Sequence, residues 1–310
     1  MEVFTTAALL SSGCTRGELA AALKTGELVH LARGFYARMD PGKDDRVVQH
    51  LAMAAACSPD DVLALESAAL VHGLPLAGWP PALVQTVQDG NGRSRKRGIR
   101  HIRSAPLPAE HIAVVNGMRV TTRARTVVDL ARLCGLNAGL IAWERARWDA
   151  RVARELAAFD AATGWAVHLL AGRHGIERAR LVLQFASAWS ESPMESLSRL
   201  AFSRLSLPMP VQQYVVRDSF GTQLGVADFA WPEQGVLGEY DGQDKYDRLA
   251  RPGEAPADVV RREKRRQEGM EAEGWVFARW GKEEVAHPRR LEARVLAAFQ
   301  VAAGRPRAAG

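Results

Sequence analysis

"VADFAWPEQGVLGEYDG", residues 226–242, decides how the second half of this chain folds. Two apolar runs flank Pro232-Glu233-Gln234-Gly235, a pattern that predicts antiparallel strands joined by a tight turn. A turn centred between Glu233 and Gln234 sets Asp228 opposite Glu239. Directly opposed residues hold their Cβ atoms about 4.5–5.5 Å apart, and like charges at that spacing destabilise unless something offsets them. Asp241 shares the face of Glu239 by the strand period. Three carboxylates are thereby expected at one end of a hairpin whose other residues, Val226, Ala230, Val236 and Leu237, are apolar. Such a group is costly in water-poor surroundings and sensible around a divalent cation, Mg²⁺ (or Mn²⁺). Asp228, Glu239 and Asp241 are therefore the candidate metal ligands. The competing reading places the same acids on a solvent-exposed edge, salt-bridged to nearby arginines.

Working outward, "SPMESLSRLAFSRLSL" (192–207) predicts a helix with Ser192 as N-cap and Glu195 at the third helical position, the spacing of a capping box. Glu195 is either a cap or, if that helix covers the sheet, a further ligand or base. Strands are expected at "VQQYVVRDS" and "QLGVADFAW", then "VLGEYDG". A helix "APADVVRREKRRQEGMEAEG", a strand "WVFARW" and a last helix "HPRRLEARVLAAFQVAAG" complete an αβββαβα order. Lys245 stands where it could neutralise a phosphate or orient an attacking water, whereas Asp244 and Asp247 read as loop solvation. The candidate catalytic set is Glu195, Asp228, Glu239, Asp241 and Lys245.

The 310 residues are enough for two or three domains, and 47% hydrophobic with 25% charged residues suits a folded chain. A net charge of +6 tilts the partners towards polyanions. Cys14, Cys57 and Cys134 form no C-x-x-C pair, which argues against a zinc site or a disulfide framework. The N-terminus lacks a basic region ahead of an apolar core, and no apolar run approaches the ~20 residues of a membrane span. No membrane partner and a cytoplasmic location are expected.

At the N-terminus, "TTAALLSSG" and "TRGELAAALKTG" predict two short helices, the second capped by Thr15 and ended at Gly26. "ELVHLARGFYARM" then suits a hairpin around Arg33-Gly34. Helix, turn, helix and β-wing is the winged helix-turn-helix order, in which the Thr15–Lys24 helix would enter the major groove. Thr15, Arg16, Lys24 and Arg33 are the DNA-binding candidates here; small helical modules with a wing also bind proteins. Further on, "DDVLALESAALVHGL" reads as a helix capped by Ser58 or Asp60. "PALVQTVQ" and "GIRHIRSA" read as strands separated by the basic loop "DGNGRSRKRG". Arg93, Arg95, Lys96 and Arg97 in that loop are candidate phosphate contacts, or simply a solvated loop. "GMRVTTRARTVVDLARLCG" predicts a strand, a Thr-capped turn and a helix. The Ala- and Arg-rich stretch 141–187 reads as a helical connector or cap without chemistry.

The wing "LARGFYA", "ESAALVHGL" and "GMRVTTRARTVVDLAR" resemble the N-terminal half of AbiEi-type proteins, the antitoxin and autoregulator components of type IV toxin–antitoxin systems. The segments "SPMESLSRLAF", "VADFAW", "GEYDGQDKY" and "REKRRQEGMEAEGWVFARWGKEEV" resemble the very-short-patch-repair endonuclease-like branch of the restriction-endonuclease-like, PD-(D/E)xK, superfamily. That second resemblance implies Asp228 and Glu239 as metal-binding acids, with Asp241 alongside and Glu195 as the helical acid. The superfamily's lysine two residues after the second acid is replaced by Asp241, and members of this branch often carry histidine where Lys245 stands. The expected fold is thus an α+β N-terminal region with a winged helix-turn-helix and a C-terminal α/β restriction-endonuclease-like domain, a mixed sheet flanked by helices. Its divisions are 1–40 (winged helix-turn-helix), 41–140 (AbiEi-like α+β), 141–187 (connector), 188–301 (endonuclease-like) and 302–310 (disordered tail). The expected function is Mg²⁺-dependent hydrolysis of DNA phosphodiester bonds, leaving a 3′-hydroxyl and a 5′-phosphate if the superfamily pattern holds. The alternative is a transcriptional autoregulator or antitoxin with an inactive nuclease-like domain. DNA is the expected partner, with a cognate toxin protein and a homodimer implied by the two resemblances.

Overall fold

Antiparallel pairing of Phe229 with Gly238, Ala230 with Leu237 and Trp231 with Val236 fixes the register of the hairpin around Pro232–Gln234. That turn is a single 3₁₀ turn, closed by Gly235 at φ +70°, a left-handed conformation open to glycine at little steric cost. The structure, a computed structural model, describes residues 2–32, 34–38, 46–242 and 256–305. It separates into two units, Met1–Ala188 and Trp189–Gly310. Both mix helices with sheet, an α+β architecture in which the two larger sheets hold parallel and antiparallel pairs.

The first unit opens with β1 (Glu2–Thr5), α1 (Thr6–Ser11), α2 (Arg16–Thr25), β2 (Leu28–Ala32) and β3 (Phe35–Arg38). Thr15 caps α2 in a complete capping box with Glu18, and Gly26 ends the helix. The expected hairpin is β2–β3; β1, which sequence reading did not foresee, adds a third strand beside β3. Leu9, Leu19 and Leu28 form the small core beneath.

There follow α3 (Arg46–Ala55), β4 (Val62–Leu63), α4 (Leu65–Val71), β5 (Val84–Asp89), β6 (Arg95–Arg97), β7 (Arg100–Ala105), β8 (Ile112–Val115) and β9 (Met118–Thr121). They build a six-stranded sheet in the order β6-β7-β5-β4-β9-β8. Two expectations are corrected here. Ser58 and Asp60 cap no helix, because Val62 and Leu63 pair with Val87 and Thr86 and pull the segment into the sheet. Ser58 instead closes a turn, its N–H donating to Asp61 Oδ2 at 3.0 Å, and α4 starts at Leu65 without a side-chain cap. Nor is the basic stretch wholly a loop: Arg95, Lys96 and Arg97 form the edge strand β6, paired with Ile102, His101 and Arg100.

Thr122 caps α5 (Arg123–Leu133), as the sequence predicts. The stretch read as a connector forms α6 (Leu136–Val152), α7 (Leu156–Leu169) and α8 (Ile176–Phe185), and all three pack on α5. A Cβ on Gly139 would lie 2.4 Å from Ala131 Cα, so only glycine permits α6 to approach α5 this closely. Trp143 and Leu140 are fully buried there.

The second unit runs α9 (Pro193–Phe202), β10 (Val211–Arg217), β11 (Gln223–Trp231), β12 (Val236–Tyr240), α10 (Pro256–Ala272), β13 (Val276–Trp280), α11 (Lys282–Ala286) and α12 (Pro288–Ala303). Its sheet order is β10-β11-β12-β13, antiparallel except for the parallel pair β12–β13. One core joins Phe229, Trp231, Val236, Ala278 and Trp280 to Phe202 of α9 and to Leu291 and Val295 of α12. A second joins Ala227, Ala230 and Leu237 to Met270 of α10. Helices thus serve both faces. Among the described residues no helix is long and apolar enough to cross a membrane.

Candidate active site

Extended by one step, the β11–β12 ladder sets Asp228 against Glu239 on the face that carries Ala230 and Leu237. Asp228 Oδ2 accepts from the Tyr240 N–H at 3.1 Å, across the ladder. Glu239, 2% exposed, is held by Arg266 Nη2 of α10 at 2.6 Å and by Arg279 Nη2 of β13 at 3.2 Å. Burial alone would pull the Arg266 guanidinium down, but Glu239 and Glu263 outweigh it and hold it above its ordinary value. Asp241 is exposed, its N–H donating to Trp280 O at 2.8 Å as a continuation of the β12–β13 ladder.

Among the described residues no three His, Cys, Asp or Glu side chains gather closely enough to hold an ion. Two guanidinium groups meet the electrostatic demand of Glu239, which is buried on an inner strand and not on the solvent-exposed edge of the alternative reading.

The carboxylate that does interact with Asp228 is Glu195. Ser192 Oγ accepts from the Glu195 N–H at 3.2 Å, which is half of the expected capping box. The reciprocal half is displaced by one residue: Glu195 Oε2 accepts from the Glu191 N–H at 2.9 Å. Glu195 is 6% exposed, and its carboxyl is pushed up to about 8, first by burial and then by the negative charge of Asp228. A buried acid whose proton is retained near neutrality is what general acid–base work requires.

Three residues escaped sequence reading. Arg279 stands directly opposite Glu239 in the parallel ladder, and aligning "VLGEY" with "VFARW" would have shown it. Arg266 lies one helical turn before Met270, which is buried under the sheet. Gln213, across β10 from Asp228 by register, takes φ +49° and donates Nε2 to Glu195 Oε2 at 3.4 Å. Strain of this kind in a non-glycine residue persists only where its surroundings impose it.

Lys245, Asp244, Asp247 and Arg33 lie outside the described residues. Of the DNA-binding candidates, Thr15 spends its hydroxyl on the cap, while Arg16 and Lys24 are exposed on α2. Arg93, Arg95, Lys96 and Arg97 are exposed on and beside β6, with Arg95 Nη2 donating to Gln88 Oε1 at 2.9 Å. The first group lies on α2, the second on and beside an edge of the six-stranded sheet.

No family model matches the chain. It is 28% identical over 282 residues to the uncharacterized proteins Rv2248 and MT2308 of two Mycobacterium tuberculosis strains, covering 91% of this chain and 96% of theirs. A crystal structure of the Rv2827c protein of M. tuberculosis aligns with 70% of this chain and 84% of its own, at 18% identity and a TM-score of 0.37. A likeness that distant contributes nothing to the argument below.

Proposed function

We propose that the chain is a DNA-binding protein whose second unit is a restriction-endonuclease-like phosphodiesterase. In this reading the first unit engages DNA through a winged helix-turn-helix and an AbiEi-like α+β region. The observation that carries it is the Glu195–Asp228 pair, two interacting carboxylates beside a strained glutamine, on an αβββ framework whose ladder register brings Glu239 alongside.

Mg²⁺ or Mn²⁺ fits part of this arrangement. Glu195 and Asp228 have the donor chemistry; Glu239 would have to release Arg266 or Arg279 to join them. Such an ion supplies charge neutralisation at the phosphate and a water of lowered pKa. The chain's own groups do the rest. Asp228 and Glu195 would hold the ion, with the Glu195 carboxyl giving up its proton on binding it. Arg279, about a third exposed, offers donors to a phosphate oxygen. Gln213 and the Glu191 N–H fix the Glu195 carboxyl in place.

Incubation of the full chain with Mn²⁺ and plasmid, duplex, mismatched and single-stranded DNA tests the proposal. Cleavage is expected from the wild type and should fall at least a hundredfold in Asp228→Asn and Glu195→Gln. A second reading, a regulator with an inactive nuclease-like unit, is favoured by one observation: Glu239 is already neutralised by two arginines. Metal-independent DNA binding without cleavage by the wild type would decide for it.

A further inference from the structure

The first unit contains a cavity of about 200 Å³ that the nuclease reading does not use. It opens beyond the carboxyl ends of the parallel strands β5 and β7, between α5 and the α7–α8 turn. Crevices outside the carboxyl ends of parallel strands are recurrent ligand sites. Arg103, Arg132 and Arg173 reach its wall, and Asp129 is the one carboxylate among its described lining residues.

Asp129 is already committed. Its Oδ2 accepts from Arg125 Nε at 2.7 Å and its Oδ1 from Arg132 Nη1 at 2.6 Å. Two buried guanidiniums therefore share one carboxylate, with Arg103 and Arg173 beside them. Burial lowers the Arg132 guanidinium below its ordinary value; Asp129 works against that shift, and the charges of Arg125 and Arg173 add to it. Donors also outnumber acceptors. On two of the lining residues Arg132 Nε and Arg103 Nε are buried without a hydrogen-bond partner, and Arg132 is only 5% exposed. An unmet buried guanidinium N–H is costly. Ser104 Oγ accepts from Gln88 Nε2 at 3.1 Å, which leaves its own proton to donate. At the mouth, Arg173 donates to Asn91 Oδ1 and bridges the α7–α8 turn to the β5–β6 turn. The cavity lacks an anion that accepts several hydrogen bonds.

We propose that this cavity binds a phosphomonoester, its oxyanion held by Arg103, Arg132 and Arg173 with the Ser104 hydroxyl. Asp129 is already shared between Arg125 and Arg132, so Arg103 and Arg173 leave the cavity with an excess of positive charge, the complement of a phosphomonoester dianion. Guanidinium forks match phosphate oxygens in geometry as well as charge. Leu65, Val87 and Leu133 add apolar wall beside the charged groups. The monoester has two potential sources, a small phosphorylated metabolite or nucleotide and a 5′-phosphorylated DNA end.

Calorimetric titration of the full chain at constant ionic strength tests this, with inorganic phosphate, a nucleoside monophosphate, and matched 5′-phosphorylated and 5′-hydroxyl duplexes. Saturable one-to-one phosphate binding is expected, weakened at least tenfold in Arg173→Ala and in Arg132→Gln. Arg173 stands at the cavity mouth, so its variant decides the matter if Arg132→Gln melts early by circular dichroism. A duplex that binds more tightly when 5′-phosphorylated, with the gain lost in Arg173→Ala, identifies a DNA end as the source. Binding of the nucleotide with no effect of duplex phosphorylation identifies a small molecule. No saturable binding of any monoester by the wild type, or binding undiminished in Arg173→Ala, overturns the proposal. Neither residue belongs to the acid site, so DNA cleavage and phosphate binding fail independently.

Discussion

In the first unit Arg125 and Arg132 share a single carboxylate, Asp129; in the second, Arg266 and Arg279 share a single carboxylate, Glu239. The two clusters differ in exposure: Arg125 and Arg132 are buried, whereas Arg266 and Arg279 reach the surface in part. Burying an ion pair contributes little net stability, because the desolvation of both partners offsets their attraction. Exposure is the informative part: the first cluster keeps its cations out of water, and the second leaves its cations a way to reach it.

The largest expected effect comes from removing the carboxylate that two buried cations share. Asp129→Ala leaves Arg125, wholly buried, with no counter-charge, and should cost about 3–5 kcal/mol in urea unfolding. Glu239→Ala should cost less, about 1–3 kcal/mol, because Arg266 and Arg279 are partly exposed and can turn to water. Equal costs would erase the contrast between the units.

Next comes pH. His111 is held down at about 4, first by burial and then by the Arg125 charge. The unfolded chain binds more protons than the folded one between about 4 and the ordinary 6.5, so this contribution is lost as pH falls through that window. For Glu195, raised from 4.5 to about 8, the folded chain binds the extra proton, and stability is lost as pH rises through that window. With chelator present, His111→Gln should flatten the acid limb of a Tm–pH profile and Glu195→Gln the alkaline limb. Both variants acting on the same limb would contradict the opposite directions of the two shifts.

The smallest effect belongs to the surface. Arg97→Ala should change stability by less than about 0.5 kcal/mol. If β6 meets DNA, the same variant lowers the slope of log affinity against log salt by about 1. An unchanged slope would remove β6 from the interface.

What could be read from sequence was local. Thr15, Thr122 and Ser192 announce their helices because a hydroxyl cap acts within three residues. "PEQG" fixes the register of β11 and β12 because a short turn admits few pairings. What escaped depends on partners distant in sequence. Val62 and Leu63 read as helix until β5 and β9 are there to pair with them. Glu239 was recognised as an acid in need of an opposing charge, but Arg266 and Arg279 arrive from elements 27 and 40 residues away. The Arg125–Asp129–Arg132 cluster lies on one helix at i, i+4 and i+3 spacing, where such pairs are usually solvated; only the fold shows it buried.

The placement of β6 has a consequence apart from any ligand. A strand at the margin of a sheet presents unpaired N–H and C=O groups that can recruit another chain, and long charged side chains are a natural deterrent. Arg95, Lys96 and Arg97 guard one margin of the six-stranded sheet in this way. The opposite margin, β8, reads Ile-Ala-Val-Val and leaves Val114 69% exposed. The sheet is therefore asymmetric in its resistance to self-association, and β8 is the margin from which sheet-to-sheet aggregation of this chain would start.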